Sequence, residues 1–141
     1  MTDAEAIALL DEVADNLLRL VPETATSLGL DTGARAGLRR QLTDRSAAGQ
    51  QRLATQLRAD LARVRAFDAS TLPHATRTSL EVVRSAYDTA LEGFALPYGD
   101  VAVGGWRNTP YVVIQNVGAY LDVPRFLDSD HRIETAADAE A

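Results

Sequence analysis

The sequence predicts an all-α protein: an irregular bundle of several helices, broken by one glycine-rich loop near residues 93–110. Three observations predict it. Apolar residues recur at three- and four-residue steps over three long segments. The boundaries of those segments carry capping and breaking residues. Between Gly93 and Pro110 that periodicity stops, in an interval holding four glycines and two prolines. A length of 141 residues is one domain's worth of chain, enough to bury roughly 65–70% of the surface the unfolded chain exposes.

The first element is predicted over residues 3–20. Thr2-x-x-Glu5 is a capping-box pattern, and Asp3 and Glu5 set negative charge at the positive end of a helix. Ile7, Leu10, Ala14, Leu17 and Val21 form the stripe behind it, and Pro22 ends it. Residues 22–33 read as a connector with a short helical turn in its middle, and residues 34–42 as a brief helix. A second long helix is predicted from Ser46 to Phe67 on the stripe Leu53, Leu57, Leu61 and Val64. Gln51, Arg52, Arg58, Asp60, Arg63 and Arg65 are expected to cover its wet side. The third runs from Pro73 or His74 to Glu92 on Leu80, Val83, Tyr87 and Leu91. Glu81–Arg84 and Arg84–Asp88 are the expected surface pairs.

Within the loop, Val101–Val103 could form one short strand. A helix is expected to resume near Pro110 and run to about Tyr120, with a further helical turn at Val123–Leu127. Thr135-Ala-Ala-Asp138-Ala-Glu140-Ala141 reads as a helix opening, a hydroxyl cap followed by an acidic first turn. Two readings of it stay open: a frayed acidic tail, or a helix whose body is missing because the chain is a piece of a longer one. From Asp122 onward six acids face two arginines.

Composition excludes several functions. There is no cysteine, hence no disulfide scaffold, thiolate metal site or cysteine nucleophile. All 14 cationic residues are arginine, and the net charge is −6, which opposes a grip on nucleic-acid phosphates. No stretch is apolar for the ~18 residues a spanning helix needs. The start lacks a secretory signal, so the chain as written reads as cytoplasmic. His74 and His131 are 57 positions apart, and neither has a second histidine at i+4. The expectation is therefore no metal site and no cofactor in this chain. Ser27 lacks the first glycine of a nucleophile elbow, and Gly104-Gly105 is too short for a phosphate loop. No catalytic residue is assigned.

The stretch from Tyr98 to Tyr120 is the chemically unusual one. Trp106, Arg107, Asn108, Tyr111, Gln115 and Tyr120 combine aromatic rings, a guanidinium and carboxamides on a glycine-rich segment. Such groups can hold a carboxylate bidentately and read a peptide-like backbone. The same aromatics could instead fill a junction between helices, with their hydroxyls tied to loop carbonyls.

The run Tyr98-Gly-Asp, Gly104-Gly-Trp-Arg-Asn-Thr-Pro-Tyr111, Gln115-Asn-Val-Gly-Ala-Tyr120 and Val123-Pro-Arg-Phe-Leu127, with His131 and Ala-Asp-Ala-Glu140, resembles the N-terminal part of a bacterial family, the domain of unknown function 885. Pro22, Ala25-Thr26-Ser27-Leu28-Gly29 and Tyr87-Asp-x-Ala-Leu-Glu-Gly93 fit the same pattern. The resemblance implies a long, mostly helical protein of zinc-dependent peptidase type, whose HExxH-type motif lies downstream of the matched region. It thus implies zinc and a peptide-like substrate for the full-length protein, but no ligand or catalytic group in this chain. It also implies that residues 1–141 are a single helical segment, a truncated N-terminal part of a longer domain. Such a piece would expose an apolar face, through which it could self-associate. Family members often carry export signals, which would place the protein outside the cytoplasm. On this reading the chain contributes to a substrate cleft and is not catalytic alone. The alternative is a self-contained helical module that binds a small ligand or a protein.

Overall fold

The computed structural model describes residues 2–96, 101–104 and 111–140. Among them are six α-helices and one 3₁₀ helix: α1 (Asp3–Leu20), α2 (Pro22–Ser27), the 3₁₀ helix Gly33–Arg40, α3 (Ala47–Ala66), α4 (His74–Phe94), α5 (Ala119–Ser129) and α6 (Ala136–Ala139). The described residues contain no strand, only an isolated bridge between Ile114 and Val117. The fold is all-α. The short strand expected at Val101–Val103 is not formed: Val101 and Ala102 have no regular secondary structure and Val103 enters a turn with Gly104.

Local chemistry sets the helix ends. Thr2 and Glu5 close the capping box: the Thr2 hydroxyl accepts from the Glu5 amide at 3.3 Å, and the Thr2 amide donates to Glu5 Oε2 at 2.6 Å. Those bonds hold the Glu5 carboxyl below its ordinary range, chiefly the one from the Thr2 backbone. Pro22 does end α1, but it also starts α2 at the position where a missing N–H costs nothing. Ser46 caps α3 by accepting from the Gly49 amide at 3.1 Å. The other end of α3 is closed from α4. Arg84 donates to the carbonyls of Val64 and Phe67 at 3.0 and 3.2 Å, satisfying groups that a helix terminus leaves open.

That engagement corrects one expected pair. Arg84 bonds Glu81, as the spacing predicts, but it does not reach Asp88. Asp88 is held instead by Arg65 of α3, through two bonds of 2.6 and 2.7 Å. The Arg84 guanidinium is shared between Glu81 and the carbonyls at the end of α3.

The core is formed by α1, α3 and α4. Leu53, Leu57, Leu61 and Val64 of α3 are buried, as their spacing predicts, against Leu80, Tyr87 and Ala90 of α4. Helix α1 contributes Ala6, Leu9 and Val13. Its phase differs from the predicted stripe: Ile7 and Ala14 are exposed, and Leu10 and Leu17 lie at the edge. The helix carries apolar residues on adjacent positions from Ala6 to Leu10, so periodicity alone did not fix which face turns inward. A smaller cluster, Leu18, Ala25 and Leu38, seats α2 and the 3₁₀ helix against the end of α1.

Asp60 is the main departure within the bundle. Expected on the wet side of α3, it is 1% exposed. Asn16 of α1 donates to both its oxygens at 3.1 and 3.2 Å, Gln56 donates at 3.0 Å, and Arg63 stands 3.5 Å away. Burial pushes the Tyr87 hydroxyl up to about 12, and the Asp60 charge adds to the effect. The folded pKa lies above the unfolded value near 10. The corresponding stability is therefore present below pH 10 and lost as the pH rises toward 12. Alkaline spectrophotometric titration should show one tyrosine ionising late, in step with unfolding. The tyrosine missing from that late phase in Tyr87→Phe identifies it; a late phase that persists in the variant would contradict the assignment.

The segment after the loop corrects the predicted helix at 110–120. Residues 111–118 are not helical. Ile114 and Val117 exchange backbone bonds of 2.9 and 3.2 Å around a tight turn at Gln115-Asn116. Gly118 then takes φ +137°, a conformation open to glycine and strained for other residues, before α5 begins at Ala119. The expected turn at Val123–Leu127 is the middle of this longer helix, which contains Pro124.

Candidate functional site

One concavity is built where α1 ends, α3 begins and residues Val101–Val103 cross. Leu17 and Val21 come from α1 and its cap, Leu53 and Gln50 from α3, and Val117 from the turn before α5. Together they line a groove of about 390 Å³, with Thr24, Thr43, Arg45 and Asp122 along its rim. Gln50 and Val101 also line a second groove, of about 470 Å³, which continues past Gln51 and Arg58 to Phe94, Leu96 and Val112. The two grooves thus meet at Gln50 and Val101.

The rim is ordered by a short polar chain. Glu23 of α2 accepts from the Thr43 amide at 3.0 Å and from the Thr43 hydroxyl, and Arg45 lies 3.6 Å from the same carboxylate. Gln50 is half-buried and makes no side-chain hydrogen bond among the described residues. It therefore brings both a donor pair and an acceptor to the groove. Floor and rim form an aliphatic trough edged by groups able to hydrogen-bond a backbone.

Of the predicted contact residues, Trp106, Arg107 and Asn108 lie outside the described residues. Tyr111 and Gln115 fall on the exposed segment beside the grooves, and Tyr120 in the first turn of α5. Tyr111 is 65% exposed, within a run in which Val112 and Val113 are also exposed. Gln115 is at the tip of the tight turn, exposed. Tyr120 is 51% exposed, but its hydroxyl donates to the carbonyls of Ile114 and Gln115 at 2.9 and 2.7 Å. The structure therefore brings Gln115 and Tyr120 together and assigns the Tyr120 hydroxyl to bracing the turn. Its ring face, not its polar tip, is what remains available.

Sequence reasoning missed Gln50 and Arg45. Gln50 lies three residues before Leu53 and seven before Leu57, so it shares their helix face. A carboxamide on an apolar stripe was the available signal. Arg45 carried none, because its place depends on how the segment before α3 folds back onto α2.

His74 opens α4 and His131 follows α5, so the two are carried by different elements. His131 Nε2 lies 2.9 Å from the Asp138 carbonyl. Among the described residues no three His, Cys, Asp or Glu side chains converge as a metal site would require. None of the described helices is long and apolar enough to cross a membrane.

The fold and grooves define a class: an all-α protein presenting an aliphatic trough with a polar rim and one carboxamide, Gln50. The chain belongs to a family of bacterial proteins of unknown function, DUF885, whose profile matches residues 22–141. No curated protein and no solved structure matches the chain.

Proposed function

We propose that this chain forms one wall of a peptide-binding cleft in a helical hydrolase of zinc-peptidase type, as the family resemblance implies. The observation that carries the reading is the groove beneath Val101–Val103. Leu17, Leu53 and Val117 offer an aliphatic floor, and Gln50 can both donate to and accept from a peptide unit. An extended peptide needs that combination, because its side chains are apolar or variable while its backbone must be hydrogen-bonded. The ring of Tyr120 and the carboxamide of Gln115 would border the peptide as it leaves the groove. Arg107, with Trp106 and Asn108, keeps the role its residue type gives it: holding a carboxylate at a peptide end.

The zinc implied by the resemblance does not fit the described residues, which bring no ligand set together. No metal step is therefore assigned to this chain, and it should bind a peptide without hydrolysing it. The test is a titration of the isotope-labelled chain, followed by NMR, with a blocked hexapeptide of alanine and valine at millimolar concentration. Shifts should cluster at Gln50, Leu53, Val101–Val103 and Val117. Gln50→Ala should weaken binding about fivefold, the equivalent of one net hydrogen bond. Shifts centred elsewhere, or an unchanged affinity in Gln50→Ala, would overturn the assignment of this groove.

A further inference from the structure

The C-terminal part of the described chain is attached in a different way from the rest. Residues 128–140 hold five acids and one arginine. They lie against the segment 35–45, which holds four arginines and one acid. Asp138 accepts from Arg40 Nε at 2.8 Å, Glu134 accepts from Arg39 at 3.0 Å, and Asp130 accepts from the hydroxyl of Ser27. Apolar burial contributes almost nothing here. Leu127 and Ile133 are 45% and 66% exposed, and Asp138 is the one described residue of 127–140 that is buried.

We propose that residues 130–140 are an electrostatically held clasp, which detaches from the 3₁₀ helix as a unit while the α1–α3–α4 core stays folded. Inside the clasp, Asp138 also accepts from the amides of Glu134 and Thr135 and from the Thr135 hydroxyl. Those bonds organise the turn Ala136–Ala139, which adds no residue to either apolar cluster, so the described contacts that tie it to the bundle are polar. The clasp therefore persists only while its charges are anchored to Arg39 and Arg40. Salt shortens the screening length from about 10 Å at 0.1 M to about 3 Å at 1 M, which weakens the exposed Arg39–Glu134 pair most and the Arg40–Asp138 pair, whose acid is buried, less. Apolar burial in the core does not weaken in this way. Opening frees Arg40 and the part of Arg39 not held by Asp31. The uncovered face would be cationic, and the acidic clasp is the ligand that now occupies it.

Amide hydrogen exchange on the full chain, at low salt and at about 1 M NaCl, tests this. The amides of Glu134, Thr135 and Asp138 should exchange about fivefold faster at high salt, as expected when the Arg39–Glu134 and Arg40–Asp138 pairs weaken together. Amides of Leu57, Val64 and Leu80 should keep their protection. Arg40→Ala should reproduce the acceleration at low salt with the core unchanged, and Arg40→Lys should recover most of the protection. Salt-independent exchange in the clasp, indifference to Arg40→Ala, or loss of protection in step with the core would each overturn the proposal.

Discussion

Replacing Asp60 by alanine should destabilise the chain by about 3 kcal/mol, because it breaks a buried charge from its partners and empties its place. For a domain of this size that lowers the melting temperature by roughly 10 °C. The reasoning starts from burial. Asp60 is 1% exposed, and its oxygens accept from Asn16 of α1 and Gln56 of α3, with Arg63 at 3.5 Å. Removing it strands two carboxamides that currently have an acceptor, and leaves a void where α1 meets α3. Asp60→Asn keeps the volume and one acceptor oxygen but loses the charge, so it should cost only about 1 kcal/mol. A cycle with Asn16→Ala should show a coupling of about 1 kcal/mol between the two positions. An Asp60→Ala variant within 0.5 kcal/mol of the parent, a surface-like value, would mean that the network is not buried.

The same residues show what was legible in advance. Asp60 lies three residues after Leu57 and seven after Leu53, and Asn16 lies three after Val13 and seven after Leu9. Both therefore occupy apolar-face positions, and a polar residue there must find a partner across the interface. The charge of Asp60 set it among the wet-side residues against that spacing, and the spacing could not say that the two meet, because that depends on how α1 and α3 cross. The three long helices were readable because each carries a stripe with clear ends. The stretch 111–118 was not. Val112, Val113, Gln115 and Asn116 have a helix-compatible pattern, but the positive φ of Gly118 and the bracing of the turn by Tyr120 decide against a helix. Those are conformational and tertiary facts that residue order leaves undetermined.

The candidate site divides along the same line. Residue type singled out the aromatic and amide groups of the glycine-rich segment, and Gln115 and Tyr120 do stand together. The groove itself came from elsewhere: α3 supplies Gln50 and Leu53, and α1 supplies Leu17. Concavities form between elements, so they are visible in a sequence only after packing is known.

Gly49→Ala should destabilise the chain by about 2 kcal/mol, although the usual effect of such a change inside a helix is a gain of nearly 1 kcal/mol. The sign reverses because of one contact. A β-carbon built on Gly49 would stand 1.9 Å from the carbonyl oxygen of Asp44 and 2.7 Å from its Cγ. Both lie far inside any allowed separation. Relief requires the segment before α3 to move outward, and that segment is tied down. Asp44 accepts from the Ser46 amide at 2.9 Å and pairs with Arg52. Those contacts, led by the bonds from Ser46, hold the Asp44 carboxyl down to about 2. The Ser46 hydroxyl in turn caps the Gly49 amide. A shift at Gly49 therefore loosens the cap of α3 and the Asp44 contacts together. Two measurements separate this from an ordinary propensity effect. Denaturant unfolding should show a lower midpoint for Gly49→Ala, whereas Gly37→Ala, where a β-carbon would meet open space, should leave the midpoint nearly unchanged. The acid limb should also differ. The folded pKa of Asp44 lies below its unfolded value of 3.8, so its contribution is present above that value and lost as the pH falls toward 2. In Gly49→Ala the Asp44 contacts are already displaced, so the stability difference between the two proteins should narrow across that interval. A Gly49→Ala variant more stable than the parent would show that the close approach of Asp44 to α3 does not exist.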